Sequence, residues 1–292
     1  MDWIRAIILG ILQGLTEFLP VSSSAHLKIA DTFFGSRTEV WFEVFLHAGT
    51  LCAVLFALKS DLIRLFVEAL KMAGDLFRNL RIMIRRDRGE TDIRYLHVVR
   101  TNHRKLVMII LISQIPAGAA GFLLRKQADG LYGSLLLTAL GLFLTAIVLL
   151  VSDQISGNDT LPKDIPDSKA WIFALAQLLA LVPGVSQTGM LLAAGLFAGL
   201  NKRNAVRLAY LISLPLQFGA LICEIIYAAS HPEIPAETIL ASLLGMLTAF
   251  LAGVLLIRRI YRLIRHRHMR VFAFYSALLG IAGLILHFLY RV

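Results

Sequence analysis

The segment Ala170–Asn201 decides the fold class. It reads AWIFALAQLLALVPGVSQTGMLLAAGLFAGLN and holds no charged residue over its 32 positions. As one straight helix it would be about 48 Å long, at about 1.5 Å per residue, whereas the hydrocarbon core of a bilayer is only about 30 Å thick. Pro183-Gly184 interrupts the segment near its middle, and proline kinks or ends a helix. The pattern therefore predicts two half-helices that meet at a polar loop inside a membrane.

Apolar composition extends this interpretation to the whole chain. Of 292 residues, 58% are hydrophobic and 16% are charged, and uncharged runs of about 18 or more residues indicate membrane spans. We therefore predict an all-α integral membrane protein with a single domain over 1–292. The spans are expected near 41–58, 106–124, 131–152, 205–228, 238–257 and 271–290.

The amino-terminal segment repeats the shape of the long uncharged run. Apolar Ile4–Leu12 is followed by the loop LPVSSS at 19–24 and by a short helix that is expected to end near Phe34. Each of the two re-entrant helical hairpins is then followed by three transmembrane helices. The bounds of this organisation are about 1–152 for repeat one, 153–169 for the linker and about 170–292 for repeat two.

The two predicted repeats have opposite orientations, because three spans are an odd number. Gln13 precedes LPVS in the first repeat and Gln177 precedes VPGVS in the second, which is a weak echo between them. Inverted repeats with broken helices place their binding sites near the middle of the membrane, at half-helix N-termini.

The net charge of +10 does not indicate nucleic acid here, because Lys and Arg accumulate in the cytoplasmic loops of membrane proteins. Lys59–Lys105 holds twelve of the 29 basic residues and Arg258–Arg270 holds six. Basic-rich and basic-poor segments alternate along the predicted spans. The pattern predicts that the rich segments are cytoplasmic and that both termini lie outside.

The first loop carries the strongest chemical pattern. Gln13 and Glu17 are four residues apart and share one helical face, and His26 follows Ser23 by three residues. A carboxylate, a hydroxyl and an imidazole in apolar surroundings form a nucleophile–base–orienter pattern. The alternative is that the serines at 22–24 only cap a helix and that His26 is a satisfied interior histidine. An ionisable residue inside a membrane favours the functional interpretation.

The second loop reads PGVSQTG from Pro183 to Gly189. Its glycines permit close approach of the backbone, and its polar side chains can donate to an oxyanion. A simple helix break within a bundle is the alternative.

Four ordered motifs span the chain: Gln13-xxx-Glu17, Pro20-Val-Ser-Ser-Ser-Ala-His26, Phe42-Glu43-Val44-x-x-His47-x-Gly49-Thr50 and Phe272-Ala-Phe-Tyr275. With these motifs the sequence resembles, over almost the whole chain, the bacterial undecaprenyl-diphosphate phosphatase family, membrane enzymes linked to bacitracin resistance. The resemblance implies an enzyme that hydrolyses undecaprenyl diphosphate to the monophosphate and phosphate, recycling the lipid carrier of peptidoglycan and cell-wall synthesis.

One block departs from the family pattern Pro-Gly-x-Ser-Arg-Ser-Gly-x-Thr. This chain has Gln187 in place of the arginine, Thr188 in place of the second serine and Leu191 in place of the last threonine. Serine to threonine keeps the hydroxyl, but arginine to glutamine removes a permanent charge and a fork suited to phosphate. The sequence therefore predicts slow or absent turnover.

The resemblance also implies roles for individual residues and a multi-pass location in the bacterial inner membrane. Ser23 is the expected nucleophile with His26 as base or acid, and His26 as direct nucleophile is the alternative. A divalent cation, Mg²⁺ or Ca²⁺, is expected on Glu17 and Gln13, since hard cations prefer oxygen ligands. The expected partners are a polyprenyl diphosphate and membrane lipid, and a homo-oligomer is compatible. The expected substrate-binding residues are Gln13, Ser22, Ser24, Gly184, Ser186, Gln187 and Thr188.

Two other function classes compete with this interpretation. One is a non-catalytic polyprenyl-phosphate binder or transporter, which the inverted repeats and Gln187 favour. The other is the type-2 phosphatidic acid phosphatase class. The chain contains neither the Arg-Pro dipeptide nor the Pro-Ser-Gly-His motif of that class.

Overall fold

The computed structural model describes residues 3–35, 39–88, 94–124, 128–155, 160–161, 164–230, 236–266 and 268–290. Within those ranges the chain forms twelve helices and no named strand, with one isolated parallel bridge between Thr160 and Leu200. The helices are α1 Trp3–Thr16, α2 Ser23–Phe34, α3 Val40–Ala57, α4 Lys59–Asp87, α5 Asn102–Leu124, α6 Ala128–Gly133, α7 Leu135–Asp153, α8 Asp167–Leu179, α9 Gln187–Phe197, α10 Lys202–Ala229, α11 Ala236–His266 and α12 Met269–Tyr290.

Six helices of the described ranges are long and apolar enough to cross a membrane. They confirm the prediction of an all-α, multi-pass integral membrane protein with six spans. The apolar spans are Val40–Ala57, Asn102–Leu124, Leu135–Asp153, Lys202–Ala229, Thr238–Ile260 and Met269–Tyr290.

The start of the third span was predicted four residues too early. The stretch from 131 divides into the end of α6 and the start of α7, with a break at Ser134. The Ser134 side chain caps the new helix by accepting a hydrogen bond from the Leu137 backbone N–H over 3.3 Å. A serine that follows glycine in a run of uncharged residues therefore begins a helix, which hydropathy alone does not reveal.

Two pairs of short helices stand at the predicted hairpins. Helices α1 and α2 have 14 and 12 residues, and α8 and α9 have 13 and 11. At about 1.5 Å per residue none exceeds roughly 21 Å, which is less than the hydrocarbon thickness of about 30 Å. The helices of each pair pack against each other, as re-entrant hairpins do. The inverted relation of the two repeats and their bounds stay predictions, and the linker 153–169 is described only in part.

Close backbone packing seats the first hairpin. Helix α1 lies against α11, and a Cβ atom added to Gly14 would come within 2.5 Å of the Ala249 carbonyl oxygen. Gly10 has the same relation to the Gly245 carbonyl oxygen, at 2.5 Å. Small residues allow membrane helices to approach closely. The amino-terminal hairpin is therefore fixed against a helix from the other end of the chain.

The basic segment after the first span forms a long helix. The first 29 residues of Lys59–Lys105 form α4. The guanidinium of Arg207, at the start of α10, donates from Nε to Asp61 Oδ2 over 2.9 Å. Arg207 thus ties α10 to α4.

Candidate functional site

Glu17 is the centre of the candidate site. It follows the last residue of α1, and its backbone N–H still donates to the Gln13 carbonyl oxygen over 3.0 Å. Gln13 Nε2 donates to Glu17 Oε2 over 3.1 Å, and Ser23 Oγ donates to the same oxygen over 2.6 Å. The structure therefore brings together three of the residues that the sequence singled out, around one carboxylate in a membrane-embedded loop.

Ser22 shapes the turn between the two helices of the first hairpin. Its φ is +65°, and it is the one non-glycine residue with positive φ in the described part of the chain. Its Oγ accepts from the Ala25 backbone N–H over 3.4 Å and lies 3.2 Å from Ser24 Oγ. Non-glycine residues with positive φ are strained and concentrate at functional sites. The turn places the start of α2 at Ser23, so that the N-terminus of α2 lies next to Glu17.

His26 does not contact Ser23 in this structure. Its Nδ1 lies 2.7 Å from the Ser22 carbonyl oxygen, and its Nε2 lies 2.8 Å from the hydroxyl of Tyr275. The His26 and Tyr275 rings are stacked at 5.7 Å between centroids. Both ring nitrogens are thus engaged, and Glu17, rather than His26, accepts the Ser23 hydrogen bond. The role of His26 in catalysis stays a prediction.

Gly184 determines the backbone turn of the second loop. Its φ is +81°, and a Cβ atom there would overlap the Thr138 carbonyl oxygen. Only glycine fits a position that combines this backbone conformation with so close an approach. Ser186 then caps α9, accepting from the Gly189 backbone N–H over 3.1 Å, while its own N–H donates to Thr145 Oγ1 over 3.0 Å. This seat on α7 places the start of α9 beside the first loop.

The two loops meet through backbone contacts. Thr188 Oγ1 donates to the Glu17 carbonyl oxygen over 3.0 Å. Tyr210, a buried residue of α10, donates its hydroxyl hydrogen to the Phe18 carbonyl oxygen over 2.8 Å. The sequence placed both loops in one site by the analogy of the repeats, and these contacts confirm that they adjoin.

A row of glutamine side chains links Glu17 to the second loop. Gln217 Nε2 donates to Glu17 Oε1 over 2.8 Å and lies 3.4 Å from Gln187 Oε1. Gln187 Nε2 in turn donates to Gln177 Oε1 over 3.3 Å. Gln177 is fully buried and donates to Ser113 Oγ over 3.1 Å. Gln187 is therefore connected to Glu17 by hydrogen bonds through a network of neutral amides.

Gln13 and Gln177 hold equivalent places in the two hairpins. Each stands nine residues before the serine that caps the second helix of its hairpin, which is Ser22 in one and Ser186 in the other. Both glutamine side chains are fully buried. The weak echo noted in the sequence thus corresponds to two buried amides at one site.

Sequence reasoning missed Gln217 and gave Tyr275 no role in the site. Gln217 lies in α10, two residues after Pro215, and a polar amide in the middle of a span was the available signal. Tyr275 belongs to a motif that matched the family, but nothing local indicated that it reaches His26. Their partners are 200 and 249 residues away in sequence.

The donor set fits a hard divalent cation. Gln13 Oε1 is buried and has no hydrogen-bond partner among the described residues, and it belongs to the side chain that contacts Glu17. Amide and carboxylate oxygens are suitable ligands for Mg²⁺ or Ca²⁺. The described residues contain no group of three or more His, Cys, Asp or Glu side chains that could hold a metal ion. Most ligands would therefore come from other oxygens, such as those of a diphosphate, as is usual for Mg²⁺.

A second polar pair links α3 to α10. Glu43 stands one helical turn before His47 on α3, but His47 Nδ1 lies 2.9 Å from Glu224 Oε2 of α10 instead. A partner on α10 competes with one a helical turn away, because α3 and α10 pack together.

Known proteins resemble this chain over nearly its whole length. The family model described as "Bacitracin resistance protein BacA" matches residues 6–282. The chain belongs to the BacA family. Curated relatives named undecaprenyl-diphosphatase include one from Methanobrevibacter smithii, 35% identical over 282 residues, which are 96% of each chain. Another, from Korarchaeum cryptofilum, is 33% identical over 286 residues, 98% of this chain and 100% of the relative. A third, from Desulfosudis oleivorans, is 35% identical over 282 residues, 96% of this chain and 97% of the relative.

BacA family membership confirms the resemblance that the sequence motifs indicated. Relatives include archaeal proteins, so membership does not by itself indicate a bacterial source. In this BacA chain the second loop has Gln187 where the family pattern has arginine, and the structure places that residue two hydrogen bonds from Glu17.

Proposed function

We propose that this protein is an undecaprenyl-diphosphatase, which hydrolyses a polyprenyl diphosphate to the monophosphate and inorganic phosphate. The relatives that cover nearly the whole chain carry that name. The observation that carries the proposal is the 2.6 Å hydrogen bond from Ser23 Oγ to Glu17 Oε2. It pairs a nucleophile with a proton acceptor inside a membrane, where a lipid diphosphate is the natural substrate.

The first chemical step is phosphoryl transfer to Ser23. Its Oγ forms a bond to the terminal phosphorus while its proton passes to Glu17, and the bond from that phosphorus to the bridging oxygen breaks. The leaving group is the polyprenyl monophosphate. Water then attacks the phosphorus of the phosphoserine, and the bond from that phosphorus to Ser23 Oγ breaks. The proton held by Glu17 returns to Ser23 Oγ, and inorganic phosphate leaves with the protons of the water. General base catalysis of this kind contributes roughly 10² to 10⁴ in rate.

Two helix N-termini stabilise the charge of the substrate. Helix α2 begins at Ser23 and α9 begins at Gln187, and both residues are linked to the Glu17 carboxylate. Helix N-termini attract anions through their backbone N–H groups and dipoles. Ser22, Ser24, Ser186 and Thr188 add hydroxyls close to the same point. Such positioned donors act on the negative charge that phosphoryl transfer spreads over its oxygens.

Two roles are open to His26, that of general acid or base and that of direct nucleophile, and a variant separates them. Held by the Ser22 carbonyl and the Tyr275 hydroxyl, it orients the start of α2 and serves as acid or base to the leaving group or water. As the direct nucleophile it would need to release Tyr275 first. A Ser23→Ala variant with near-normal turnover would transfer the nucleophilic role to His26.

A divalent cation, Mg²⁺ or Ca²⁺, would be held by Glu17 and Gln13. It would supply positive charge next to the diphosphate, at a site where residue 187 is a glutamine in place of the arginine of the family pattern. The polyprenyl tail would remain in lipid beside the loops. As the resemblance to the family implies, we place the site at the outer face of the cell membrane.

A phosphate-release assay tests the proposal. The intact protein, purified in detergent or in vesicles, is given undecaprenyl diphosphate with and without a chelator, and inorganic phosphate is measured. Release that the chelator abolishes and that Glu17→Gln lacks is the expected result. Absence of release from a folded protein that still binds the lipid would favour the second candidate, a non-catalytic polyprenyl-phosphate binder or transporter. The neutral amide network around Gln187 is the observation that favours that candidate.

A further inference from the structure

Helix α4 extends well beyond the part of it that the bundle buries. It starts two residues after the end of the α3 span and runs for 29 residues, which is about 43 Å at 1.5 Å per residue. Its two buried residues, Leu65 and Met72, lie in its first half. The helix therefore leaves the end of the bundle and needs another environment for the rest of its surface.

One face of α4 is occupied by the protein itself. Asp61, Glu68 and Asp75 stand seven residues apart, which is two helical turns, so they share this face. Asp61 is paired with Arg207 of α10. Arg104, at the start of α5, donates from Nε to Glu68 Oε2 over 2.9 Å and from Nη1 to Asp75 Oδ2 over 2.7 Å. The acidic row is thus neutralised inside the protein.

The opposite face of α4 is largely apolar and exposed, with the Arg81 guanidinium 4.6 Å from the centroid of the Phe77 ring. Its large side chains recur at helical spacing, three, four or seven residues apart. The exposed fractions are 63% for Ile63, 65% for Phe66, 58% for Leu70 and 55% for Phe77. Ile84 continues the row and is also exposed. We refer to these five residues as the apolar row. A contiguous surface of five large, exposed apolar side chains marks an interaction site rather than a surface in contact with water.

A basic row runs along one edge of the apolar row. Arg64, Lys71, Arg78 and Arg85 also stand seven residues apart and are exposed. Of these, Lys71 also donates from Nζ to Glu68 Oε1 over 2.7 Å. They lie on the side of the helix between the apolar row and the acidic row. In all, α4 carries seven basic and four acidic residues, and the acidic row is engaged within the protein. The exposed charge along the apolar row is therefore positive.

We propose that α4 is an interfacial helix that binds anionic lipid. The apolar row enters the acyl region and the basic row contacts negatively charged headgroups. A polar face rich in Lys and Arg opposite a face of Phe and Leu is typical of helices that lie in the membrane plane. Continuity with the α3 span places the start of α4 at the membrane surface, and charge complementarity selects anionic headgroups.

Spin labels on neighbouring positions test this orientation in the full-length protein. In a background with Cys52→Ala and Cys223→Ala, single cysteines replace Leu70 or Phe77 of the apolar row, or Lys71 or Arg78 of the basic row. The labelled proteins are reconstituted in vesicles of phosphatidylcholine with phosphatidylglycerol. Labels at 70 and 77 are expected to be relaxed by oxygen and protected from a water-soluble nickel complex. Labels at the matched controls 71 and 78 are expected to show the reverse.

A charge reversal tests the choice of lipid. Arg78→Glu together with Arg85→Glu is compared with Arg258→Glu together with Arg259→Glu, which changes net charge equally on another helix. For the label at residue 70, the gain in protection from the nickel complex in vesicles with phosphatidylglycerol, relative to vesicles of phosphatidylcholine alone, is expected to fall by roughly tenfold or more in the first pair. The second pair is expected to leave it unchanged.

Three results would overturn the proposal. Equal exposure of all four labels to the nickel complex would place α4 in water. Spin–spin broadening at 70 and 77 that disappears on dilution with unlabelled protein would mean that a second copy covers the apolar row. Protection at 70 and 77 that is identical with and without phosphatidylglycerol, and is unaffected by reversal of the basic row, would remove anionic lipid as the ligand.

Discussion

Ser23 and Glu17, six residues apart on opposite sides of a membrane-embedded turn, are joined by a 2.6 Å hydrogen bond from hydroxyl to carboxylate. This distance lies at the short end of the range of about 2.5–3.0 Å that is usual for O–H···O hydrogen bonds. The bond also means that α2 begins with the group that would attack a phosphorus atom. The carboxylate and the nucleophile therefore act as one unit, and removal of either should have the same consequence.

Glu17→Gln and Ser23→Ala should each remove most of the turnover. The loss expected from general acid–base catalysis alone is roughly 10² to 10⁴ in rate. Because the two residues work on one proton, the double variant should be scarcely slower than either single one. Phosphate release per folded protein measures this, with gel filtration as the control for folding. Additive losses in the double variant would show that the residues act independently.

Gln217→Leu should slow turnover by about tenfold or more. It removes a donor to Glu17 Oε1, and a hydrogen bond to a charged group contributes about 1.5–3 kcal/mol, where 1.36 kcal/mol is a factor of ten. Gln114→Leu is the matched control, since Gln114 donates to the Ile212 carbonyl and to Ser113 and not to Glu17. The loss should fall on kcat rather than on KM. Equal effects of the two variants would reduce Gln217 to a structural amide.

Gln187→Arg should raise the rate, by roughly tenfold or more on the same magnitudes. The arginine would bring a permanent charge and a bidentate fork for phosphate into a site whose amides are neutral. Both proteins are assayed with the same lipid diphosphate and the same cation. A starting protein that is already fast, and no faster with arginine, would mean that another group performs this role. If both proteins bind lipid and neither turns it over, the binder or transporter interpretation gains.

The membrane orientation predicted by the basic segments can be tested by labelling. A single cysteine in place of Arg88, at the carboxyl end of α4, should resist an impermeant thiol reagent in sealed cells and react after the cells are opened. Lys and Arg concentrate in this segment, and such segments remain cytoplasmic. Strong labelling in sealed cells would invert the topology. It would also move α4 to the outer membrane surface.

The attachment of α4 to α5 through ion pairs with Arg104 should depend on pH. Hydrogen bonds from Lys71 and Arg104 lower the pKa of Glu68, and a hydrogen bond from Arg104 lowers the pKa of Asp75. A carboxyl whose pKa is lower in the folded state stabilises that state above its unfolded pKa, near 4. This stability is lost as pH falls through the folded pKa. Arg104→Gln should therefore lower the unfolding temperature at pH 7.

The difference in unfolding temperature between Arg104→Gln and the unmodified protein should shrink below about pH 4, where the carboxylates become protonated. Thermal unfolding across this pH range provides the measurement. A difference that stays constant with pH would mean that Arg104 acts through packing and not through its charge.

Most of the fold could be predicted because its signal is local. Uncharged runs of span length identify membrane helices by composition, and Pro183-Gly184 divides a run that is too long to be one span. The separation of α6 from α7 at Ser134 escaped prediction. A capping hydroxyl inside an apolar segment changes hydropathy very little.

The site was predicted only as far as neighbouring residues determine it. Gln13 and Glu17 are one helical turn apart, so their contact follows from helix geometry. The reach of His26 towards Ser23 also looked local, but Tyr275 of α12 engages His26 instead. Contacts between distant helices compete with contacts along one helix, and the sequence pattern shows only the latter.

The class of protein and the residue types at its reactive loops follow from the amino-acid sequence, because the bilayer imposes uncharged spans and makes an embedded carboxylate costly without a function. Which polar groups surround Glu17 depends instead on the packing of distant helices. Gln217 and Thr188 reach it from α10 and α9 across 200 and 171 residues. Such contacts depend on how close two helices approach, which small residues and backbone turns control at the level of single ångströms. No periodicity in the sequence records that distance.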